Sequence, residues 1–224
     1  MTAAQKRNNK SKKLFRISIH ITVVFLIILF FTYTSNAELA AESNNVDWEK
    51  LKENSGHILK SNNDDILANF QYSISLANLG MIEEAYDHFE VIKDKISINN
   101  FNYTMKPYIS QLELHPNDIL LLNYAAFGSS INSEYKKSIP HFKKLLELEP
   151  NNVWVRNFLA ATYLEIEEYD KAKKEVNKAL KIKDNKYSHL LLGFIHYNTG
   201  NILGALFELG RSGDLVGKII SKNN

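Results

Sequence analysis

The sequence of 224 residues contains no cysteine and is poor in proline and glycine, with four and nine of each. Without cysteine, the chain has no disulfide, no thiolate ligand for a metal and no cysteine nucleophile. Few prolines and glycines leave long stretches in which a helix is not interrupted. No window shows the sustained alternation of apolar and polar residues that is typical of a strand. These absences favour an all-helical fold that is held together by packing alone.

Acidic residues are absent from residues 1–37, which carry six basic residues. The basic residues lead into the apolar run ISIHITVVFLIILFFTY at residues 17–33. A helix of this length spans about 25 Å, close to the roughly 30 Å of a bilayer core. We therefore interpret residues 1–37 as a basic N-terminus followed by a signal peptide or a transmembrane anchor.

The basic flank predicts that everything after the apolar run lies outside the cytoplasm. Small residues at Ser35 and Ala37 suit a signal peptidase, whereas the apolar run is long and bulky for a cleaved segment. Cleavage and retention both stay open. We expect a membrane-anchored or secreted protein with an extracytoplasmic body. The abundance of Lys, Asn and Ile is compatible with a bacterial origin.

The part of the chain beyond residue 37 holds 21 basic and 25 acidic residues, so it is mildly acidic, and we expect no nucleic-acid partner. The seven histidines show no spacing typical of metal ligands, and no serine lies in a G-x-S-x-G context. No glycine-rich phosphate loop is present. The sequence therefore predicts no catalytic residue, no metal, no cofactor and no enzyme.

A repeat with a period of about 34 residues runs through the second half of the chain. The stretch EYKKSIPHFKKLLELEPNN at 134–152 is followed by EYDKAKKEVNKALKIKDNK at 168–186. Small residues such as Ala160 and Ala172 fall where two helices of one unit would cross. Weaker copies lie on both sides. The sequence predicts about four helix–turn–helix units, at residues 66–98, 119–152, 153–185 and 186–219.

This pattern resembles the tetratricopeptide repeat family over roughly residues 66–219. The resemblance implies a right-handed α-solenoid of stacked helix pairs, preceded by the hydrophobic N-terminal helix, with residues 38–65 as a tether and capping helix. The first two units begin at positions 66 and 119, farther apart than the later units are. Residues 99–118 are therefore predicted to hold an extra helix from about Thr104 to Leu114.

The resemblance also implies a concave groove, lined by the first helix of each unit, that binds peptide segments in this family. Asn123 and Asn157 lie one repeat period apart and are expected to project in parallel, where amides can bind an extended backbone. Local capping of the asparagines and core packing of the aromatic residues are the alternatives. The predicted groove residues are Asn123, Phe127, Trp154, Asn157, Tyr187, Phe194 and Tyr197.

These features predict a binding protein. The expected function is a scaffold or assembly adaptor that holds a peptide segment of another envelope protein, with the membrane contacted through the N-terminal helix. The alternative is a structural envelope component that self-associates as a homo-oligomer.

Overall fold

The computed structural model describes residues 45–222, and all of the regular secondary structure in this range is helical. The all-helical prediction is thereby confirmed for these residues. The predicted leader or anchor, residues 1–37, lies outside the described residues, as does the tether as far as residue 44. None of the helices within residues 45–222 has the length and hydropathy of a membrane span.

Eleven α-helices and one 3-10 helix follow each other in residues 45–222, joined by short turns. In chain order they are α1 (Trp48–Ser61), α2 (Ile66–Leu79), α3 (Ile82–Lys95), α4 (Ile98–Ile109), the 3-10 helix (Ser110–Glu113), α5 (Ile119–Ile131), α6 (Tyr135–Leu148), α7 (Val153–Glu165), α8 (Tyr169–Ile182), α9 (Lys186–Asn198), α10 (Ile202–Arg211) and α11 (Leu215–Lys222). The regular hairpins are α5–α6, α7–α8 and α9–α10.

Side-chain caps begin the first helix of each regular hairpin. Asp118 Oδ1 accepts the amide of Leu121 at 2.9 Å at the start of α5. Asn152 and Asn185 occupy the corresponding positions before α7 and α9. Each such cap satisfies an otherwise unpaired helical amide and stabilises the helix by about 1 kcal/mol. The Pro-Asn-Asp stretch at 116–118 and the Pro-Asn-Asn stretch at 150–152 therefore mark helix starts.

The turn inside each hairpin requires a residue in the left-handed region. The φ angles are 80° at Gly80, 57° at Ser133, 61° at Glu167 and 79° at Gly200. Glycine adopts this conformation without steric cost, whereas the other two residues bear some strain. Four turns of the same geometry explain why four helix pairs fold back on themselves.

Small residues let the two helices of a hairpin approach closely, as the sequence predicts. Ala160 on α7 and Ala172 on α8 are fully buried. A Cβ atom added at Gly193 on α9 would lie 2.6 Å from Leu209 Cδ2 on α10. A larger side chain at Gly193 would therefore push the last hairpin apart.

The extra helix in residues 99–118 begins earlier than the predicted Thr104 and also ends earlier. The helix α4 begins at Ile98, where the Ser97 hydroxyl accepts the amide of Asn100 at 3.3 Å. Pro107 has no amide hydrogen, and α4 ends two residues later in the 3-10 helix. Phe101 and Met105 are fully buried, so this segment folds as part of the main core.

Candidate functional site

The face of α5, α7 and α9 that was predicted to line the groove is covered in large part by the α2–α3 hairpin of the same chain. Three pairs of residues show this covering: Phe89 stacks on Phe127, Gly80 packs against Trp154, and Glu83 bonds to Lys186. Each pair joins the hairpin to a different first helix. The predicted groove is thus occupied along much of its length by the chain itself.

Asn123 lies beneath this cover and is fully buried. Its Oδ1 accepts from Asn78 Nδ2 at 2.9 Å, and its Nδ2 donates to the Ile119 carbonyl at 2.8 Å. The expectation that Asn123 presents an open amide to a partner is therefore corrected, because both ends of the amide already bond within the chain. Asn123 joins α5 to α2.

Asn157 is also buried, with 6% of its surface exposed. Its Oδ1 accepts from Ser188 Oγ at 2.7 Å, and its Nδ2 donates to Asn185 Oδ1 at 3.3 Å. These bonds tie α7 to the start of α9. The repeat period does place Asn123 and Asn157 at equivalent positions, but there each amide bonds to another helix of the chain.

Phe127 is a centre of aromatic packing rather than an open surface. Its ring lies 5.3 Å from the Phe89 ring, 5.3 Å from Phe142 and 4.8 Å from Phe158, measured between centroids. Only 4% of Phe127 is exposed. A narrow apolar cleft of about 180 Å³ remains between α3 and the facing helices, with room for no more than part of a partner segment.

The remaining aromatic groove residues are more accessible. Tyr187 and Phe194 are half-buried, and Tyr197 is 63% exposed. The Tyr187 hydroxyl donates to Glu83 Oε1 at 3.2 Å, and burial raises the pKa of this hydroxyl. Tyr187 is therefore held at the edge of the α2–α3 cover, whereas Tyr197 projects into solvent.

An ionic latch, formed by Glu83, Lys186 and Lys218, fastens the start of α3 to α9 and α11. Lys186 Nζ lies 2.6 Å from Glu83 Oε1, and Lys218 Nζ bonds to the other carboxylate oxygen. The hydrogen bond from Lys186, followed by that from Lys218, lowers the pKa of Glu83 to about 2. The same contact with Glu83 raises the pKa of Lys186. The latch joins residues more than 100 positions apart.

A tryptophan cleft of about 450 Å³ opens beside Trp154, between the start of α1, the end of α2, the α6–α7 turn and the end of α8. Both tryptophans of the sequence, Trp48 and Trp154, line this cleft and are half-buried. Lys183 Nζ lies 5.9 Å from the Trp154 ring centroid, and the Tyr187 ring lies 6.0 Å away. The cleft combines aromatic surface with a cation at its rim.

One wall of the tryptophan cleft contains Asn78, whose side-chain oxygen is buried. Asn78 lines the cleft, and its Nδ2 donates to Asn123 and to the Ile74 carbonyl. Its buried Oδ1 has no hydrogen-bond partner among the described residues. A buried acceptor without a partner costs about 1–3 kcal/mol. Sequence inspection missed Asn78 because nothing in its local pattern distinguishes it.

Buried His189 is the centre of a titratable cluster at the C-terminal end of the repeats. Its ring nitrogens lie 2.5 Å from Asp184 Oδ1 and 2.6 Å from Glu208 Oε2. The contact with His189 lowers the pKa of Asp184. Since both ring nitrogens are engaged, the imidazole joins α9 to α10 and offers neither nitrogen to a substrate. No group of side chains within residues 45–222 is arranged to hold a metal ion.

Comparison with known proteins agrees with the repeat assignment. A tetratricopeptide repeat family model matches residues 132–193. The matched range contains α6, α7 and α8 and most of α9. This central part of the chain is tetratricopeptide-like. No curated protein matches the sequence.

Several solved structures are similar to the chain. A MamA structure labelled MSR-1 C2 is 14% identical, with 76% of this chain and 88% of that chain covered and a TM-score of 0.44. MamA from Desulfovibrio magneticus RS-1 is 18% identical, with 84% and 94% covered and a TM-score of 0.44. The APC/C hetero-tetramer Cut9–Hcn1 is 16% identical, with 75% and 29% covered and a TM-score of 0.49. At TM-scores below 0.5, these likenesses carry no argument about function.

Proposed function

We propose that the protein is a non-enzymatic scaffold that binds an extended segment of a partner envelope protein in the tryptophan cleft. The observation that carries this proposal is that both tryptophans line one cleft, with Asn78 in its wall. Tryptophan is enriched among the residues that dominate binding energy at protein interfaces. The cleft contains Trp154, one of the predicted groove residues.

The chemistry of the cleft defines the segment that it would take. An apolar or aromatic side chain would contact Trp48 and Trp154, and the backbone beside it would lie against the polar side chains of Asn78 and Asn151 in the cleft lining. An extended segment supplies both groups at once, because its amides are not used in secondary structure. Lys183, whose ammonium lies near the Trp154 ring, favours an acidic residue next to the apolar side chain.

The cell compartment is part of the same proposal. Residues 17–33 would anchor the chain in a membrane, and the basic residues before them would hold the N-terminus in the cytoplasm. The body from Asn45 onward would then face an envelope partner on the extracytoplasmic side. A phosphatase reporter that is active only outside the cytoplasm, fused after Asn224, is expected to be active in source cells. An inactive reporter with full-length expression would contradict this placement.

Photo-crosslinking in intact source cells tests the binding site directly. A photoreactive residue at Asn151, which is exposed and lines the cleft, is expected to capture a distinct envelope protein. The matched control carries the same photoreactive residue at Lys173, which is exposed on α8 away from the cleft. The adduct should form from position 151 alone and should weaken with Trp48→Ala, provided that the helical circular dichroism is retained.

A second step separates binding from accidental capture. A synthetic peptide that covers the crosslinked region of the captured protein is titrated against purified full-length chain, with tryptophan fluorescence as the signal. Since both tryptophans lie in the cleft, binding there must change the emission. Adducts only between copies of this chain, or a peptide that leaves the emission unchanged, would refute the adaptor function.

A further inference from the structure

Helix α10 presents an apolar stripe to solvent, formed by Ile202, Leu203, Leu206 and Phe207. These side chains are 52%, 82%, 65% and 65% exposed. Single exposed apolar residues are ordinary on protein surfaces, but a contiguous group marks a surface that another body covers. The four residues repeat at the three- and four-residue spacing that places them on one side of a helix.

The equivalent helix of the preceding hairpin has a different outer face. When α8 and α10 are aligned from their first residues, buried Ala172 and Val176 of α8 correspond to Ala205 and Leu209 of α10. The same alignment pairs Leu203 with Asp170, Leu206 with Lys173 and Phe207 with Lys174. All three α8 side chains are exposed and charged. The fold therefore does not require apolar residues at these outer positions, and α10 differs from α8 in what its outer face meets.

The size of the α10 stripe argues against a stable dimer of this chain. A large apolar side chain offers roughly 150–250 Å² when fully exposed, so four side chains at these exposures present roughly 400–660 Å². A stable protein interface buries about 800 Å² on each partner. Docking on a lipid surface does not require this buried area, because a few apolar side chains enter the interfacial region one by one.

The segment that carries the α10 stripe has a small net positive charge in the sequence. Residues 186–222 hold four basic and two acidic side chains, whereas the remainder of the chain beyond residue 37 is net acidic. Both acidic groups are paired, Glu208 with His189 and Asp214 with Lys218. Three of the basic groups are paired as well, Lys186 and Lys218 with Glu83 and Arg211 with Asp184. Arg211 lies 6.0 Å from the Phe207 ring centroid, next to the stripe. Basic residues beside apolar ones are typical of interfacial helices.

We infer that the α10 stripe docks on the surface of the lipid bilayer. This inference rests on the anchor in the proposed function. With residues 17–33 in the bilayer, the eleven residues from 34 to 44 reach at most about 40 Å, and the body stays close to the lipid. Such tethering raises the effective concentration of the α10 stripe at the surface, so a small patch suffices for docking.

Site-specific fluorescence on the full-length chain tests the inference, and the absence of native cysteine makes the labelling clean. Leu206→Cys carries an environment-sensitive dye, and the protein is reconstituted in vesicles of phosphatidylethanolamine and phosphatidylglycerol that contain a lipid-borne quencher. We expect a blue-shifted emission that is quenched severalfold more than the emission of the matched control, Lys173→Cys. Leu203→Glu with Phe207→Glu should return the quenching at position 206 to the control level.

Each other result overturns the inference in a distinguishable way. Equal quenching at positions 206 and 173, in protein that floats with the vesicles, would refute the docking of α10. Membrane anchoring by residues 17–33 would still stand. A chain that does not float with the vesicles would refute the anchor and the docking together. Energy transfer between labelled copies that grows with the protein-to-lipid ratio, without quenching by lipid, would show that a second copy covers the α10 stripe.

Discussion

Asn78 Nδ2 donates a hydrogen bond of 2.9 Å to Asn123 Oδ1, although the two residues are 45 positions apart. The bond ties the end of α2 to the face of α5 that a tetratricopeptide-like array would present to a peptide. Asn78 Oδ1 is left buried without a partner among the described residues. One amide pair thus closes the predicted groove at α5 from within the chain.

Asn123→Ala is expected to lower the free energy of unfolding by about 1–3 kcal/mol, because it removes a buried partner of Asn78. Chemical denaturation followed by circular dichroism measures this change. The control is Asn177→Ala on the exposed face of α8, for which a change within about 0.5 kcal/mol is expected. Equal effects of the two substitutions would contradict the structural role of Asn123.

Gly80→Ala is expected to destabilise the protein more than Gly200→Ala. Both glycines have φ near 80°, so both substitutions bear a similar backbone strain. A Cβ atom at Gly80 would also lie 2.4 Å from the Trp154 ring, whereas Gly200 has nothing within 4 Å. We expect a difference of about 1–3 kcal/mol, the usual range for forced overpacking.

Tryptophan emission supplies a second readout for the same pair of glycine variants. Displacement of the Trp154 ring should change the emission of Gly80→Ala and leave that of Gly200→Ala unchanged. The prediction fails if the two variants have the same stability and the same emission.

Glu83→Gln is expected to make stability less dependent on pH in the acid range. The folded-state pKa of Glu83, about 2, lies below its ordinary value of 4.5, so the charged carboxylate stabilises the fold above pH 4.5. This contribution is lost as the pH falls from 4.5 towards 2. The stability difference between wild type and variant should therefore be largest near neutral pH and vanish near pH 2.

Urea midpoints measured across this pH range give the difference at each pH. Glu53→Gln is the control, because the Glu53 side chain is 73% exposed and lies 3.8 Å from His57. A difference for Glu83→Gln that stays constant from neutral pH to pH 2 would mean that the ionic latch does not hold α3.

The helices of the regular repeats were predictable because their signals are local. Asp118, Asn152 and Asn185 cap helix starts, and Ala160 and Ala172 permit close crossing, each within one hairpin. The start of α4 was missed because the Ser97 cap lies outside the segment that was read as an insertion.

The covering of the groove could not be predicted from any local pattern. The contacts of Glu83 with Lys186 and Tyr187 join residues 103 and 104 positions apart. They depend on how α4 directs the α2–α3 hairpin, which repeat spacing does not encode. Equal spacing of Asn123 and Asn157 predicted equivalent positions, yet equivalence alone does not distinguish an amide that faces solvent from one that faces another helix.

Phe127→Ala and Tyr197→Ala are expected to have very different consequences, although both residues were predicted to line the same groove. Phe127 is 4% exposed and packs against three aromatic rings, so its removal should cost about 3–5 kcal/mol. Tyr197 is 63% exposed, and its removal should change stability by no more than about 0.5 kcal/mol.

Hydrogen exchange then separates a general loss of stability from release of the α2–α3 cover. Because Phe89 of α3 stacks on Phe127, the amides of α3 should exchange faster in Phe127→Ala than those of α8, which makes no contact with this ring pair in the aromatic network. Faster exchange in α3 alone would show that this aromatic contact holds the hairpin over the repeats. A uniform increase across α3 and α8 would mean that the hairpin and the repeats open as one cooperative unit, and that α3 is not a separable cover.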